Sequence, residues 1–262
     1  SRRPTVGGER MSYSPAELLA VIAARQLAGV KSVFAGVGIP LLAAALAQKT
    51  HAPDLTIVVE GGSIGPELLP GQLPISTNEM RVAHRARVLP GITDTFLFAQ
   101  RGFLEVGFVG GAQVDRFGNL NSSVVGSYDK PQVRLPGSGG ANDIISLCHR
   151  VMVVTTHERR RFVPRVDFVT SPGFLSGGTS RRDAGLLFGR VSQVVTNLGI
   201  LGFDEESKAM RLEGLHPGVS VEEVLEMTGF DLLINDQLPI TDPPEEKELA
   251  LLRELDTERR FI

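Results

Sequence analysis

Cysteine is almost missing from this chain. Cys148 is the only one in 262 residues, so the sequence supports neither an internal disulfide nor a cysteine-rich metal site. The five histidines, His51, His84, His149, His157 and His216, show neither HxxxH nor HExxH spacing, which leaves no histidine motif for a metal. A large excess of charge of one sign is also missing. With a net charge of −3 and a pI near 6.0, nothing draws the chain generally to nucleic acid or to an anionic membrane, and any affinity for a phosphorylated ligand must be local. Long apolar runs are absent too: the longest, around Leu41 to Ala47, is far short of the ~20 residues needed to span a bilayer. No charged-then-apolar leader opens the sequence. Together these deficits lead us to expect a soluble, cytoplasmic protein.

A hydrophobic fraction of 42% supplies an ample core. Residues 1–13 lack periodicity and read as a flexible extension. With no repeat and no linker, residues 14–262 read as one domain. Ser14-Pro15-Ala16-Glu17 is a helix start, with Ser as cap, Pro at the first helical position and Glu able to reach back. Lys31 to Ala35 then reads as a strand, Gly36 to Pro40 as a tight loop, Leu41 to Gln48 as a small-residue helix and Leu55 to Val59 as a second buried strand. This is a β-α-β unit, which predicts an α/β fold with an open, mostly parallel sheet flanked by helices. Glu60 falls at the carboxyl end of the second strand, the rim where ligands bind in such sheets. Gly61 and Gly62 are expected to turn the chain sharply and to leave room for a substrate. The competing role for Glu60 is a turn cap or an arginine partner.

A dinucleotide site is a rival reading, because Glu60 lies about 20 residues after Gly36 and Gly38. The turn does not fit it: Leu41 stands where a small residue is needed, and Pro40 removes an amide from the helix start. Pro66 to Pro90 reads as a long excursion at the sheet rim, a kind of loop that is often functional. Further on, LPGSGGAN places Gly137, Gly139, Gly140 and Ala141 before an expected helix from Asn142 to His149. Amides at such a helix start hold anions, so this is either an oxyanion-binding loop or a flexible turn; it lacks the Gly-Lys-Ser/Thr of a phosphate loop. Asn119 and Asn121, with Gln113 nearby, either shape a turn or present amides to a substrate. The basic run after His157, Arg159-Arg160-Arg161, reads as a solvated face in preference to a phosphate contact.

The ordered set GVGIP, THAPDLTIVVEGG, VGGAQVDRFGNLNSS, LPGSGGAN, HERRRF and VTSPG resembles the β subunits of family I CoA-transferases, glutaconate CoA-transferase among them. The likeness runs from about Ser14 to the C-terminus. It implies transfer of CoA between an acyl-CoA and a carboxylic acid, such as a dicarboxylic acid, through a glutamyl-CoA thioester on Glu60, with Gly137 to Ala141 as the family's glycine-rich loop. It also implies a separate α subunit, in a heterodimer or an α2β2 complex, with CoA as substrate and no permanently bound cofactor or metal. Gly61-Gly62 replaces the usual Ser-Gly, a departure that bears on substrate choice. Related chains include decarboxylases and hydrolases in which that glutamate is replaced, and a purely binding role for this chain is a further alternative.

Overall fold

The computed structural model describes residues 13–262 and, before them, the backbone of two short strands, β1 (Thr5–Val6) and β2 (Glu9–Arg10), paired antiparallel. The flexible extension expected over 1–13 otherwise lies outside the described residues, apart from Tyr13, which is buried. The chain forms two compact units, residues 1–108 with 242–262 and residues 109–241. The first of the two passages between them falls inside a strand, β6 below.

In the first unit, α1 (Pro15–Arg25) begins with the expected capping box: the Ser14 hydroxyl accepts from the Glu17 amide, and the Ser14 amide donates to Glu17 Oε2 at 2.7 Å. β3 (Ser32–Ala35), α2 (Ile39–Lys49) and β4 (Thr56–Val59) follow as the predicted β-α-β unit. Gly38 caps α2 at φ +98°, and Ala43 to Ala45 are buried, which lets the helix pack closely. β5 (Ser63–Ile64), α3 (Ile92–Gln100) and β6 (Val106–Val109) complete this part. The strands lie in the order β6-β3-β4-β5, the first three parallel and β5 antiparallel at the edge. Phe34 of β3 meets Phe96 of α3 with ring centroids 5.2 Å apart, while the neighbouring Val33 and Ala35 alternate to the opposite face. The C-terminal helix, Glu246–Leu255, returns to this unit. Two paired carboxylates hold it: Glu248, 2% exposed, takes Arg25 in a bidentate pair and His51 at 2.8 Å, and Arg253 reaches buried Glu17 at 2.6 Å.

The second unit opens with β7 (Gln113–Asp115), β8 (Leu120–Asn121), β9 (Val124–Gly126) and β10 (Pro131–Arg134), the last two forming a hairpin. α4 (Ala141–Leu147) leads into β11 (Arg150–Val154). β12 (Phe162–Val163) pairs parallel with β7, and the short α5 (Ser180–Asp183) follows the VTSPG loop. β13 (Val191–Val195), β14 (Gly199–Phe203) and β15 (Met210–Leu215) form a meander beside β11, then α6 (Val221–Glu226) precedes β16 (Leu233–Ile234). β11–β13 and β15–β16 are parallel, and the hairpins between them are antiparallel. The sheet is thus the expected open, mostly parallel kind, with an antiparallel insertion.

Two imidazoles are sealed inside the second unit. His157 stacks on Phe162 at 3.8 Å and meets the hydroxyls of Thr196 and Thr228, and burial pushes its pKa down to about 3. His216 lies against the Thr196 carbonyl and the Thr241 hydroxyl, and burial pushes it down to about 4. Both pKa values are depressed on folding, so the unfolded chain binds the extra protons and stability falls as pH drops below ~6.5. Between pH 7 and 4.5 each should remove about 2 kcal/mol. Urea denaturation of a His157→Gln variant at both pH values should show the acid-induced loss shrinking by roughly that amount.

Candidate active site

Glu60 stands where the four-residue strand β4 runs out. The last three residues of β4, Ile57, Val58 and Val59, are buried, and Val59 pairs with Ser63 of β5, so Glu60-Gly61-Gly62 is the whole of a reversing turn, closed by the Gly62 amide on the Val59 carbonyl at 3.0 Å. The side chain is half-buried, and the Thr77 hydroxyl donates to Glu60 Oε1 at 3.3 Å.

The two glycines turn the chain sharply, as expected, but do not leave the expected room. A β-carbon at position 61 would lie 2.1 Å from the Thr77 carbonyl oxygen and 2.6 Å from Asn78 Oδ1; one at 62 would lie 2.2 Å from the Pro90 carbonyl oxygen, in a backbone already at φ +99°. The space is filled by the protein's own backbone, not left open for a substrate. The excursion from Pro66 to Pro90 is therefore packed onto the turn. Ser63 donates to the Val82 carbonyl, the Glu67 amide to the His84 carbonyl, and Ile64 exchanges backbone bonds with Val88. A short 3₁₀ turn, Met80–Ala83, lies within it.

In the second unit the glycine-rich loop continues the β9–β10 hairpin. Of its expected oxyanion donors, two are already engaged: the Gly137 amide donates to the Ser122 carbonyl at 2.8 Å and the Ala141 amide to the Ser138 carbonyl at 2.9 Å. These bonds shape the loop at Gly137 and Ala141. Gly140 is buried as the residue before α4. Gly139 is exposed, at φ +48°.

Asn121 and Gln113, the other expected substrate ligands, are hydrogen-bonded within the fold. Asn121 is fully buried; its two amide hydrogens go to Gln113 Oε1 and the Val124 carbonyl, both at 2.7 Å, and its oxygen accepts from Ser123, Val124 and Thr170. Gln113 is buried against Asp167, to which it donates at 2.9 Å and from whose amide it accepts at 3.1 Å. Asn119 is also committed, to Asp115, Leu175 and Gly173. Of the basic run, Arg159 and Arg160 are exposed as expected; Arg159 donates to the Glu226 carbonyl at the end of α6, and Arg161 to the Gly111 carbonyl.

Two residues important to this arrangement carry no motif. Thr77 is 17 positions from Glu60. Arg181, 5% exposed, spreads its terminal nitrogens over four carbonyls, those of Pro172, Gly173, Ile145 and Phe188, and so ties the VTSPG loop to α4. Cys148 is buried at the end of α4, and burial pushes its thiol up to about 12, so it stays protonated and is no nucleophile.

With this geometry in place, comparison with known proteins is direct. The family model described as coenzyme A transferase matches residues 16–227. The chain is 39% identical to the β subunit of 3-oxoadipate CoA-transferase from Pseudomonas knackmussii, over 94% of both chains. It is 36% identical to the β subunit of glutaconate CoA-transferase from Acidaminococcus fermentans, over 96% of both. The crystal structure of the latter enzyme superposes with a TM-score of 0.87, covering 96% of this chain and 98% of that one. The decarboxylase AibA/AibB shares the architecture at a TM-score of 0.79 and 30% identity, over 94% and 96% of the two chains. The chain belongs to the coenzyme A transferase family, family I, as a β subunit.

Because the Glu60 turn closes only without side chains, Gly61→Ala should cost about 1–3 kcal/mol through overpacking. Gly62→Ala should cost about 1 kcal/mol more, from left-handed strain. Thermal and urea denaturation of the two variants check both magnitudes.

Proposed function

We propose that this chain carries the covalent chemistry of a CoA-transferase and that Glu60 is the group acylated. The observation that supports this most is its placement: a half-buried carboxylate on a rigid turn at the carboxyl end of a parallel strand. A glutamate side chain is an anion at neutral pH and attacks a thioester without a separate base. In the proposed sequence one carboxylate oxygen bonds to the acyl carbon, the C–S bond breaks and CoA leaves as the thiolate, giving a mixed anhydride. The thiolate then attacks the glutamyl carbon, and the acid departs as its carboxylate. An enzyme glutamyl-CoA thioester remains, and an incoming acid reverses the steps.

For the substrate we infer a dicarboxylic acid of the glutaconate or 3-oxoadipate kind, the class named for two relatives that match nearly the whole chain. The working form is a complex with a separate α subunit, as a heterodimer or α2β2. The shared fold does not choose between transfer and the decarboxylation carried out by AibA/AibB. Residue 60 supports transfer, since by resemblance the decarboxylases and hydrolases have another residue, such as cysteine, in that position, and the cysteine of this chain is buried at the end of α4.

With the co-expressed α subunit, Glu60→Gln should lose transfer by at least about 10³-fold, and Glu60→Asp, one methylene shorter, nearly as much. Borohydride or hydroxylamine treatment after incubation with acyl-CoA, followed by peptide mass spectrometry, should place the modification on Glu60. Modification confined to the α subunit would instead assign this chain a binding role.

A further inference from the structure

We propose that Thr77 is a catalytic residue, a hydrogen-bond donor to Glu60, and that glycine at position 61 is what brings it into place. The inference rests on Glu60 being the acylated group.

One residue of the excursion makes two separate contacts with the turn. The carbonyl of Thr77 rests on the α-carbon of Gly61, where a β-carbon would come within 2.1 Å of it, and its hydroxyl donates to Glu60 Oε1 at 3.3 Å. The first contact sets the backbone of Thr77 against the turn. The second then follows from chemistry, because a β-branched side chain has few choices at χ1 once its backbone is set. The loop that presents Thr77 is itself clamped. Glu79 accepts from the Ile75 amide at 2.5 Å and from Arg81 at 2.7 and 3.1 Å, while Arg81 also donates to the Leu73 carbonyl at 3.1 Å. Residues 73–81 thus close on themselves through a carboxylate and a guanidinium, and Thr77 sits within that closed segment facing Glu60.

The hydroxyl has a definable task in the proposed chemistry. It faces one carboxylate oxygen, and the attack on the acyl carbon is made by the other. When CoA thiolate adds to the glutamyl carbon of the anhydride, a C–S bond forms and the C=O electron pair moves onto the glutamyl carbonyl oxygen, which the hydroxyl faces. That pair returns as the C–O bond to the departing acid breaks. The hydrogen bond is weak to the neutral anhydride carbonyl and strong to the transient oxyanion, so it lowers the barrier instead of merely tightening binding. A serine at position 61, as in the usual Ser-Gly turn of the resemblance, could not coexist with the Thr77 carbonyl in this position. The glycine and the threonine therefore work as a pair.

The test uses the complex with its co-expressed α subunit, with succinyl-CoA and glutaconyl-CoA as probe donors. Thr77→Val keeps the shape and removes the donor; it should lower kcat about 10²-fold, leave KM within about twofold, and slow single-turnover formation of the Glu60 thioester to match. Thr77→Ser should restore most of the rate, and the melting temperature should hardly move. Thr77→Ala serves in place of the valine variant should that one not fold. Absence of label on Glu60 in the wild-type complex would sink the reading of Glu60 itself. Normal Glu60 labelling in wild type, with the valine or alanine variant labelled at the wild-type rate, would overturn the role of Thr77 alone. So would a serine variant as slow as valine, or a loss seen only in KM, since either assigns the contact to packing.

Discussion

The candidate site depends on a contact made possible by two missing side chains. Carbonyl oxygens of Thr77 and Pro90 occupy the space that β-carbons at Gly61 and Gly62 would take. The buried strand before the turn determines where Glu60 stands, and the backbone pressed against the turn determines which way the chain leaves it. Since protein interiors are packed as densely as organic crystals, a gap of this size closed by backbone is a constraint on everything attached to it. The long excursion is thereby part of the scaffold around Glu60, held by bonds to Ser63 and Ile64.

In the second unit the same office is performed by polar groups. The motifs that carry the family resemblance coincide with hydrogen-bond nodes: Asn119 with Asp115 and Leu175, Asn121 with Gln113 and Thr170, Arg181 with the carbonyls of the VTSPG loop. A buried amide whose donors and acceptors are all matched gives a unique geometry, whereas leaving one unmatched costs about 1–3 kcal/mol. The asparagine amides and the terminal nitrogens of Arg181 are thus engaged in shaping the frame of the second unit. Asp115 fits the pattern: burial raises its pKa, while Asn119 and the Phe117 amide bond to its charged form.

Local signals in the chain were legible in proportion to how little they depended on distant residues. The Ser14 capping box, the apolar strands and the position of Glu60 at a strand end follow from periodicity and from neighbours a few positions away. The donors of the glycine-rich loop did not follow, because which amides are spent depends on Ser122 and Ser138, and only a folded hairpin brings Ser122 near. Asn121 and Gln113 suit a substrate contact for the same reason that they suit a buried network: an amide does either job. Thr77 was invisible, since nothing about a threonine in a polar excursion announces a partner 17 residues back. The two-unit division also left no mark, because a strand such as Val106–Val109 looks alike whether it lies within a unit or at the edge of one.

Cys148 offers a practical consequence of its own. Alkylating and disulfide-forming reagents act on thiolates, and a thiol held near 12 inside the fold presents almost none at neutral pH. The native chain is in effect blank to maleimide dyes and spin labels. A single cysteine introduced on the exposed surface of the 66–90 excursion would take up such a probe alone, giving a spectroscopic reporter of that segment without first stripping a reactive residue from the background.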